Sequence, residues 1–156
     1  MLAVALVALA AASSPPPPAR FLSVDARHHV VDVSLVAEYD GTNSGFNFDG
    51  YSRELLWTVP VGWRVRVTCL NRGPLRHSCA VVAGAGSTRP AFPGAETPAP
   101  FTGLEARHSA TFTFRASKRG VFRFADLVPG HEAARMYDVL QVTKGGKPSI
   151  RDLRAP

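Results

Sequence analysis

The sequence has few residues of the types that usually carry chemistry. Its 156 residues include two cysteines, two methionines and five histidines, and Met136 is the one methionine beyond the first position. No nucleophile stands in a recognisable pairing with a general base, and no second group of metal ligands accompanies the histidines. The sequence therefore gives little support to an enzymatic role.

Basic residues are present in excess but are not clustered. The formal net charge is +6, from 18 basic and 12 acidic residues. No run of Lys and Arg and no basic patch interleaved with aromatic side chains is found, so nucleic-acid binding is not predicted. The excess charge favours solubility and, at most, a weak preference for acidic partners or anionic surfaces.

No stretch keeps the periodicity of an amphipathic helix. In "WRVRVTCLN" (63–71), by contrast, apolar side chains and Cys69 alternate with Arg and Thr, which is typical of a strand with one buried face. Seven or eight such strands with turns between them predict an all-β fold, an antiparallel Greek-key sandwich. The predicted strands are 29–39, 55–62, 63–71, 79–84, 109–116, 121–126 and 136–143, with a short extended piece at 46–54.

Pro and Gly punctuate the rest of the chain. Segment 84–103 holds four Pro and four Gly and predicts a long surface loop. Pro15 to Pro18 predict a stiff, extended linker. The resulting division is a leader and linker over 1–20, one folded domain over 21–145 and a polar tail over 146–156.

The first twelve residues, "MLAVALVALAAA", are apolar. About 20 residues are needed to span a bilayer, so this stretch is too short. Its length suits the apolar region of a signal peptide, and the small residues near Ala10 to Ser13 suit cleavage, although no positive charge precedes it. A signal peptide and a truncated membrane anchor both place the domain outside the cytoplasm, and a plain apolar tail is the third interpretation.

Cys69 and Cys79 allow two interpretations. In an oxidising compartment a pair of cysteines favours a disulfide. Free cysteines also behave as small apolar side chains and are often buried. Because both positions belong to strands that face the core, we predict a disulfide between them.

The histidines fall into two groups. His28, His29 and His108 stand beside arginines at the starts of strands and are predicted to be solvated. His77 lies between a Gly-Pro loop and an apolar strand, and His131 follows a Pro-Gly turn. Loops gather at the two ends of a β-sandwich, so His77 and His131 can meet at one pole.

Position 126 and Met136 belong to the same loop as His131. Two histidines, a third strong ligand and a weak axial methionine form the ligand pattern of a blue-copper centre. Two loop histidines and a core methionine without any metal give the same spacing. The sequence therefore predicts a metal site here but leaves the metal-free alternative open.

Two segments, "SGFNFDGYSRELLWTVPVGWRVRVTCLNRGPLRHSCAVV" and "FRFADLVPGHEAARMYDVLQVT", carry a resemblance. Together they resemble the sulfocyanins, small blue copper proteins with the cupredoxin fold, and the similarity extends over about residues 29–145. The resemblance implies one copper ion held by His77, position 126, His131 and Met136. It also implies one-electron transfer outside the cytoplasm by a monomer, with a redox partner protein and an N-terminal tether as possible associates.

The sequence departs from this pattern at the decisive ligand. Position 126 carries Asp126 where the sulfocyanin pattern has cysteine, and Leu127 and Arg135 stand where it commonly has glycine. A thiolate favours Cu(I), whereas a carboxylate favours Cu(II), so we expect a nearly colourless site of lower potential. Cys79 does not replace the missing thiolate, because it follows His77 by two residues on a strand and should point deeper into the sandwich.

Three functions remain open at this stage. The protein is an electron carrier of altered colour, a copper-storage or copper-delivery protein, or a cupredoxin-fold interaction module that has lost its metal. In the last case Asp126 would be solvated or paired with Arg76 or Arg135. The predicted metal ligands are His77, Asp126, His131 and Met136.

Overall fold

The computed structural model describes residues 14–156. The predicted leader, residues 1–12, lies outside this range. Within it, no helix is long and apolar enough to cross a membrane. Regular structure other than strands is limited to two short 3-10 helices, Pro18–Phe21 and Thr42–Gly45.

Nine strands form the fold of the described residues. They coincide with the alternating and apolar segments of the sequence, with two short strands added at the ends. In chain order they are β1 (Leu22–Asp25), β2 (Val30–Ala37), β3 (Leu55–Pro60), β4 (Arg64–Asn71), β5 (Ala80–Val82), β6 (Ser109–Arg115), β7 (Gly120–Ala125), β8 (Tyr137–Thr143) and β9 (Ser149–Asp152).

The strands form two sheets, ordered β1-β2-β4-β6 and β5-β7-β8-β3-β9. The prediction of an all-β sandwich is confirmed, but the strands are not all antiparallel. β2 and β4 run parallel, and so do β3 and β8. These pairings join strands that are distant in sequence, which alternation of side chains cannot reveal because it reports only which face is buried.

Both additional strands lie at sheet edges. β1 and β9 have four residues each and are largely exposed. β9 pairs antiparallel with β3, so the predicted polar tail 146–156 is in fact partly a strand of the second sheet. A strand of four residues at a sheet edge buries few side chains, so its sequence gives only a weak signal of a strand.

The proline-rich linker also packs on the domain, in contrast to the extended spacer that its composition predicts. Pro16 is buried, and the Tyr51 hydroxyl donates a hydrogen bond of 2.8 Å to its carbonyl oxygen. The chain then enters the 3-10 helix that precedes β1. A proline-rich segment can be stiff and still be docked, since stiffness lowers the entropy lost on docking.

The core lies between the sheets and is apolar. Its largest fully buried side chains include Trp57, Phe48, Phe92 and Phe124, with Trp57 and Phe124 packed edge to face at 5.6 Å between ring centroids. Cys69 and Cys79 are both buried and form a disulfide. The predicted disulfide is therefore confirmed, and it joins β4 to the residue before β5.

One end of the sandwich collects the loops that matter for function. The parallel strands β2 and β4 end side by side, at Ala37 and Asn71. β7 is antiparallel to β8, so the end of β7 lies beside the start of β8, where Ala125 faces Tyr137. The segments that follow β2 and β4 and the loop between β7 and β8 thus meet at this pole.

Candidate metal centre

His77 is fixed by the backbone of a distant loop. Its N–H donates to the Leu104 carbonyl oxygen at 3.3 Å, and the Leu104 N–H donates back to the His77 carbonyl oxygen at 2.6 Å. Gly103, at φ +81°, lies so close that an added Cβ would come within 2.9 Å of the His77 nitrogen. The imidazole is completely buried. A glycine is therefore required where this loop crosses the histidine.

The loop from Asp126 to Met136 is held by its own backbone. The Asp126 N–H donates to the Met136 carbonyl oxygen at 3.2 Å, and the Met136 N–H donates to the His131 carbonyl oxygen at 3.1 Å. Gly130 has φ +88°, which permits the tight turn after Pro129. These bonds set the positions of residues 126 and 131 without any contribution from a bound ion.

The side chains of this loop converge on His77. Nδ1 of His77 lies 2.7 Å from Oδ2 of Asp126, and Nδ1 of His131 lies 2.8 Å from the same oxygen. The ring centroids of the two histidines are 5.0 Å apart. One ligand atom from each of the three residues can be chosen so that all lie within 4.8 Å of one another. Two imidazoles thus face a single carboxylate oxygen.

The other oxygen of Asp126 is fully occupied. Oδ1 accepts hydrogen bonds from the Ser78 N–H at 3.1 Å, the Ser78 hydroxyl at 3.1 Å and the Val128 N–H at 2.9 Å. Only Oδ2 faces the imidazoles. The carboxylate therefore offers one oxygen, and not both, to a metal ion placed between the two imidazole rings.

The charges of the three side chains are coupled. Burial opposes ionisation of Asp126, but the hydrogen bonds from His131 and His77 outweigh it and lower the pKa of Asp126 below its ordinary value of 3.8. Burial also opposes a charge on His77, yet hydrogen bonds and negative charge from Asp126 and Glu38 raise its pKa above 6.5. Each partner therefore favours the charged form of the other: the imidazoles favour an ionised Asp126, and the carboxylates favour a protonated His77.

A second carboxylate approaches His77 from the opposite side. Oε2 of Glu38 lies 3.1 Å from Nε2 of His77. Glu38 was not predicted from the sequence, because only the parallel pairing of β2 and β4 brings the end of β2 beside the loop that leads to His77. An acidic residue directly after an apolar strand, as in "VSLVAEYD", was the available signal. Ser78 was missed as well, for want of any pattern around it.

The predicted site residues are placed as follows. His77, Asp126 and His131 come together, whereas His28, His29 and His108 are exposed, as predicted. Asp126 is neither solvated nor paired with arginine: it is completely buried, and Arg76 pairs with Glu105 instead. Met136 is fully buried and its backbone contacts Asp126 and His131. Its role as a ligand stays a prediction.

The donor atoms fit a divalent transition-metal ion. Imidazole nitrogen and carboxylate oxygen are ligands of zinc and of Cu(II), and the cluster lacks the thiolate sulfur that Cu(I) prefers. The spacing of 2.7 to 2.8 Å between Nδ1 and Oδ2 is that of hydrogen bonds. A metal ion would take the place of the protons that the two Nδ1 atoms donate to Asp126.

Comparisons with known sequences and structures find similar proteins. The Sulfocyanin (SoxE) domain family matches residues 17–96, which include Glu38 and His77 but not the loop that carries Asp126. No curated protein sequence matches the chain significantly.

Three solved structures illustrate the likeness in fold. Reduced auracyanin from Roseiflexus castenholzii is 25% identical, covering 72% of this chain and 96% of its own, with a TM-score of 0.51. Rusticyanin from Thiobacillus ferrooxidans is 19% identical, covering 79% and 86%, with a TM-score of 0.55. Auracyanin A, a "blue" copper protein from Chloroflexus aurantiacus, is 17% identical, covering 73% and 99%, with a TM-score of 0.53.

Proposed function

The chain belongs to the sulfocyanin domain family, and from that premise we propose that it binds one copper ion outside the cytoplasm through His77, Asp126 and His131. Its family consists of cupredoxin-type copper proteins, which carry electrons and in general are not enzymes. The observation that supports the proposal best is the approach of two Nδ1 atoms to Oδ2 of Asp126 at 2.7 and 2.8 Å. Met136 is the weak fourth ligand in this proposal.

Copper would supply a one-electron couple at this site, and Asp126 determines which oxidation state is favoured. A single carboxylate oxygen replaces a thiolate, so Cu(II) is stabilised relative to Cu(I). Ser78 and Val128 hold Oδ1 and thereby keep Oδ2 directed at the two rings. Without a sulfur-to-copper charge transfer, the Cu(II) protein is expected to be nearly colourless.

Two observations support a location outside the cytoplasm. The disulfide between Cys69 and Cys79 is typical of proteins in an oxidising environment outside the cytoplasm. The apolar residues 1–12 have the composition of a signal peptide or anchor. N-terminal sequencing of the native protein should find a start between about residues 11 and 19, or else membrane association. A cytoplasmic form that retains Met1 would contradict this part of the proposal.

The copper site is tested by adding Cu(II) to purified, metal-free protein. We expect one Cu(II) per chain and an electron paramagnetic resonance spectrum with hyperfine splitting from nitrogen ligands. His131→Ala should weaken binding strongly, whereas His108→Ala, which removes an exposed histidine away from the site, should not. Equal binding by wild type and His131→Ala would contradict the site.

A second candidate is supported by the hydrogen bonds of Asp126. Five donors satisfy this carboxylate within the protein itself, since Oδ1 accepts three bonds and Oδ2 faces two imidazoles. In a cupredoxin-fold interaction module without metal, these hydrogen bonds would be sufficient to stabilise the buried carboxylate, and no metal ion would be needed. Metal analysis of protein purified from its native source separates the candidates: about one copper per chain supports the first, and a metal-free protein that also fails to bind added Cu(II) supports the second.

A further inference from the structure

We propose that Glu38 is a positioning residue of the metal centre, which holds the His77 ring with Nδ1 toward Asp126 and adds a second negative charge beside it. The inference rests on the proposed function, because it concerns the same site. Its evidence is the conformation of Glu38, the two glycines that surround it and the partners of the His77 ring.

Glu38 adopts a conformation that ordinary residues avoid. It follows the last residue of β2 and has φ +51°. Its N–H donates to the Asn47 carbonyl oxygen at 2.9 Å, which holds the backbone in place. A non-glycine residue in the left-handed region costs roughly 1–2 kcal/mol. This conformation directs the side chain inward, so that its carboxylate contacts Nε2 of His77.

Two glycines make room for the Glu38 side chain. A Cβ added at Gly45 would lie 2.9 Å from Oε1 of Glu38, and a Cβ added at Gly73 would overlap its carboxylate. Gly73 does not have a positive φ, so its backbone does not itself require glycine. The space at Gly73 is thus explained by the carboxylate that fills it.

The carboxylate of Glu38 has few other partners. Oε2 accepts the Leu75 N–H at a long 3.4 Å, and the side chain is only 18% exposed. Its closest polar contact is therefore the buried imidazole. The backbone of Glu38 is strained, and its enclosed side chain is directed at one ring nitrogen. This combination indicates that the position of Glu38 serves its contact with His77.

The contact between Glu38 and Nε2 of His77 determines which nitrogen of the ring is available to bind a metal ion. A ring that donates its Nε2 proton to Glu38 has its Nδ1 lone pair available for coordination. A carboxylate behind a ligating histidine also raises the basicity of the ring and fixes its orientation. The additional negative charge near the centre favours a divalent ion over a monovalent one.

The experiment uses four single variants and one double variant of the full chain that separate charge from position. Glu38→Gln keeps the shape and a hydrogen-bond acceptor but removes the charge. Glu38→Ala removes both, and Gly73→Ala keeps the charge but displaces the carboxylate. Glu105→Gln, at an exposed carboxylate that pairs with Arg76, is the matched control.

Cu(II) affinity is the first measurement. Loss of a partner behind a metal ligand typically lowers affinity about 10–100-fold, and we expect Glu38→Ala and Gly73→Ala to fall in this range. Glu38→Gln should lose less affinity and should raise the copper potential, because it retains the hydrogen bond but not the charge. Glu105→Gln should match wild type. In a Glu38→Ala background, Gly73→Ala should have no additional effect.

Nuclear magnetic resonance of the His77 ring in metal-free protein is the second measurement. Wild type should show one fixed ring state with both nitrogens hydrogen-bonded, and Glu38→Ala should change the Nε2 signal while the domain stays folded. Unchanged affinity, potential and ring signal in Glu38→Ala would overturn the inference. If wild type itself binds no copper, the proposed function fails, whereas the role of Glu38 still stands or falls on the ring signal.

Discussion

Asp126 and Asp138 are both completely buried, and their surroundings have opposite effects on them. Two imidazoles and three other donors surround Asp126, and these partners lower its pKa. Asp138 accepts a hydrogen bond from the Leu55 N–H at 3.1 Å, while its Oδ2 has no partner among the described residues. Burial raises the pKa of Asp138 well above 3.8.

Asp49 resembles Asp138 in its burial, its hydrogen bonds and the direction of its pKa shift. It is buried, its Oδ1 accepts the Val36 N–H at 2.8 Å, and its Oδ2 likewise has no partner in the part of the chain described. Burial raises the pKa of Asp49 well above 3.8, and the hydrogen bond from the Val36 N–H only partly opposes this effect. Burial thus favours the neutral form of Asp49 and Asp138, whereas the hydrogen-bond partners of Asp126, chiefly His131 and His77, favour its ionised form.

The largest expected effect comes from replacing Asp126 with cysteine, and it concerns the colour and the potential of the copper site. Asp126→Cys places a thiol where Ser78 and Val128 already donate hydrogen bonds. With copper bound, the variant should change from nearly colourless to strongly coloured, and its potential should rise because thiolate favours Cu(I). Visible absorption and a redox titration measure both. Copper binding without colour would mean that residue 126 does not face the metal.

The second effect is on stability and separates the two kinds of carboxyl group directly. Asp126→Ala leaves two imidazoles and three other donors without their acceptor, and removing one member of a buried ion pair costs about 3–5 kcal/mol. Asp138→Ala leaves mainly the Leu55 N–H unpaired, at about 1–3 kcal/mol. Urea unfolding of the metal-free variants provides the comparison. Equal losses would mean that Asp126 is not ionised in the folded state.

The strands of this fold could be predicted to a large extent from sequence, because alternation reports directly on burial. β4 shows this best: Val65, Val67 and Cys69 are buried, as predicted, and Arg64 and Arg66 are exposed. The parallel pairing of β2 with β4 could not be predicted, since it depends on contacts between distant segments. Edge strands β1 and β9 were missed because each has only four residues, which is too short for alternation to stand out.

The site was predictable in part for a related reason. His77 and His131 follow recognisable turns, Asp126 directly follows an apolar strand, and the resemblance to sulfocyanins indicated that these positions converge. Glu38 had no such signal, because its contact with His77 depends on the register of two parallel strands and on the space left by Gly73. The contrast between Asp126 and Asp138 could not be predicted either, since a sequence does not show which buried aspartate gains hydrogen-bond partners.

The two kinds of carboxyl group should also give opposite pH dependences in metal-free protein. The folded-state pKa of Asp126 is lowered, so the stability it contributes is present above pH 3.8 and is lost as pH falls through that folded pKa. The folded-state pKa of Asp49 is raised, so its contribution is present below pH 3.8 and is lost as pH rises toward its folded pKa. The pKa of His77 is raised too, so its contribution declines as pH rises through its folded pKa, above 6.5.

Unfolding free energy measured against pH tests this directly. Each proton that the folded state alone retains lowers stability by about 1.4 kcal/mol per pH unit. We therefore expect Asp49→Asn to flatten the decline above pH 4. The acid-side loss that Asp126 causes should stay the same in this variant. An unchanged slope in Asp49→Asn would mean that Asp49 is ionised when the protein is folded.

The smallest expected effect concerns the loop that joins Asp126 to Asp138. Arg135 in this loop has φ +70° and an exposed side chain, and its carbonyl oxygen accepts a hydrogen bond from the Ser52 hydroxyl at 2.7 Å. The left-handed conformation costs a non-glycine residue roughly 1–2 kcal/mol, and part of this is offset by the greater freedom of glycine in the unfolded chain. Arg135→Gly should therefore stabilise the protein by about 1 kcal/mol or less. Arg151→Gly, in the edge strand β9, should instead lower the free energy of unfolding by about 0.5–1 kcal/mol.

Because the loop geometry is already the one glycine prefers, Arg135→Gly should leave Cu(II) affinity unchanged. A loss of affinity in this variant would show that the arginine side chain, and not only its backbone, supports the position of Asp126.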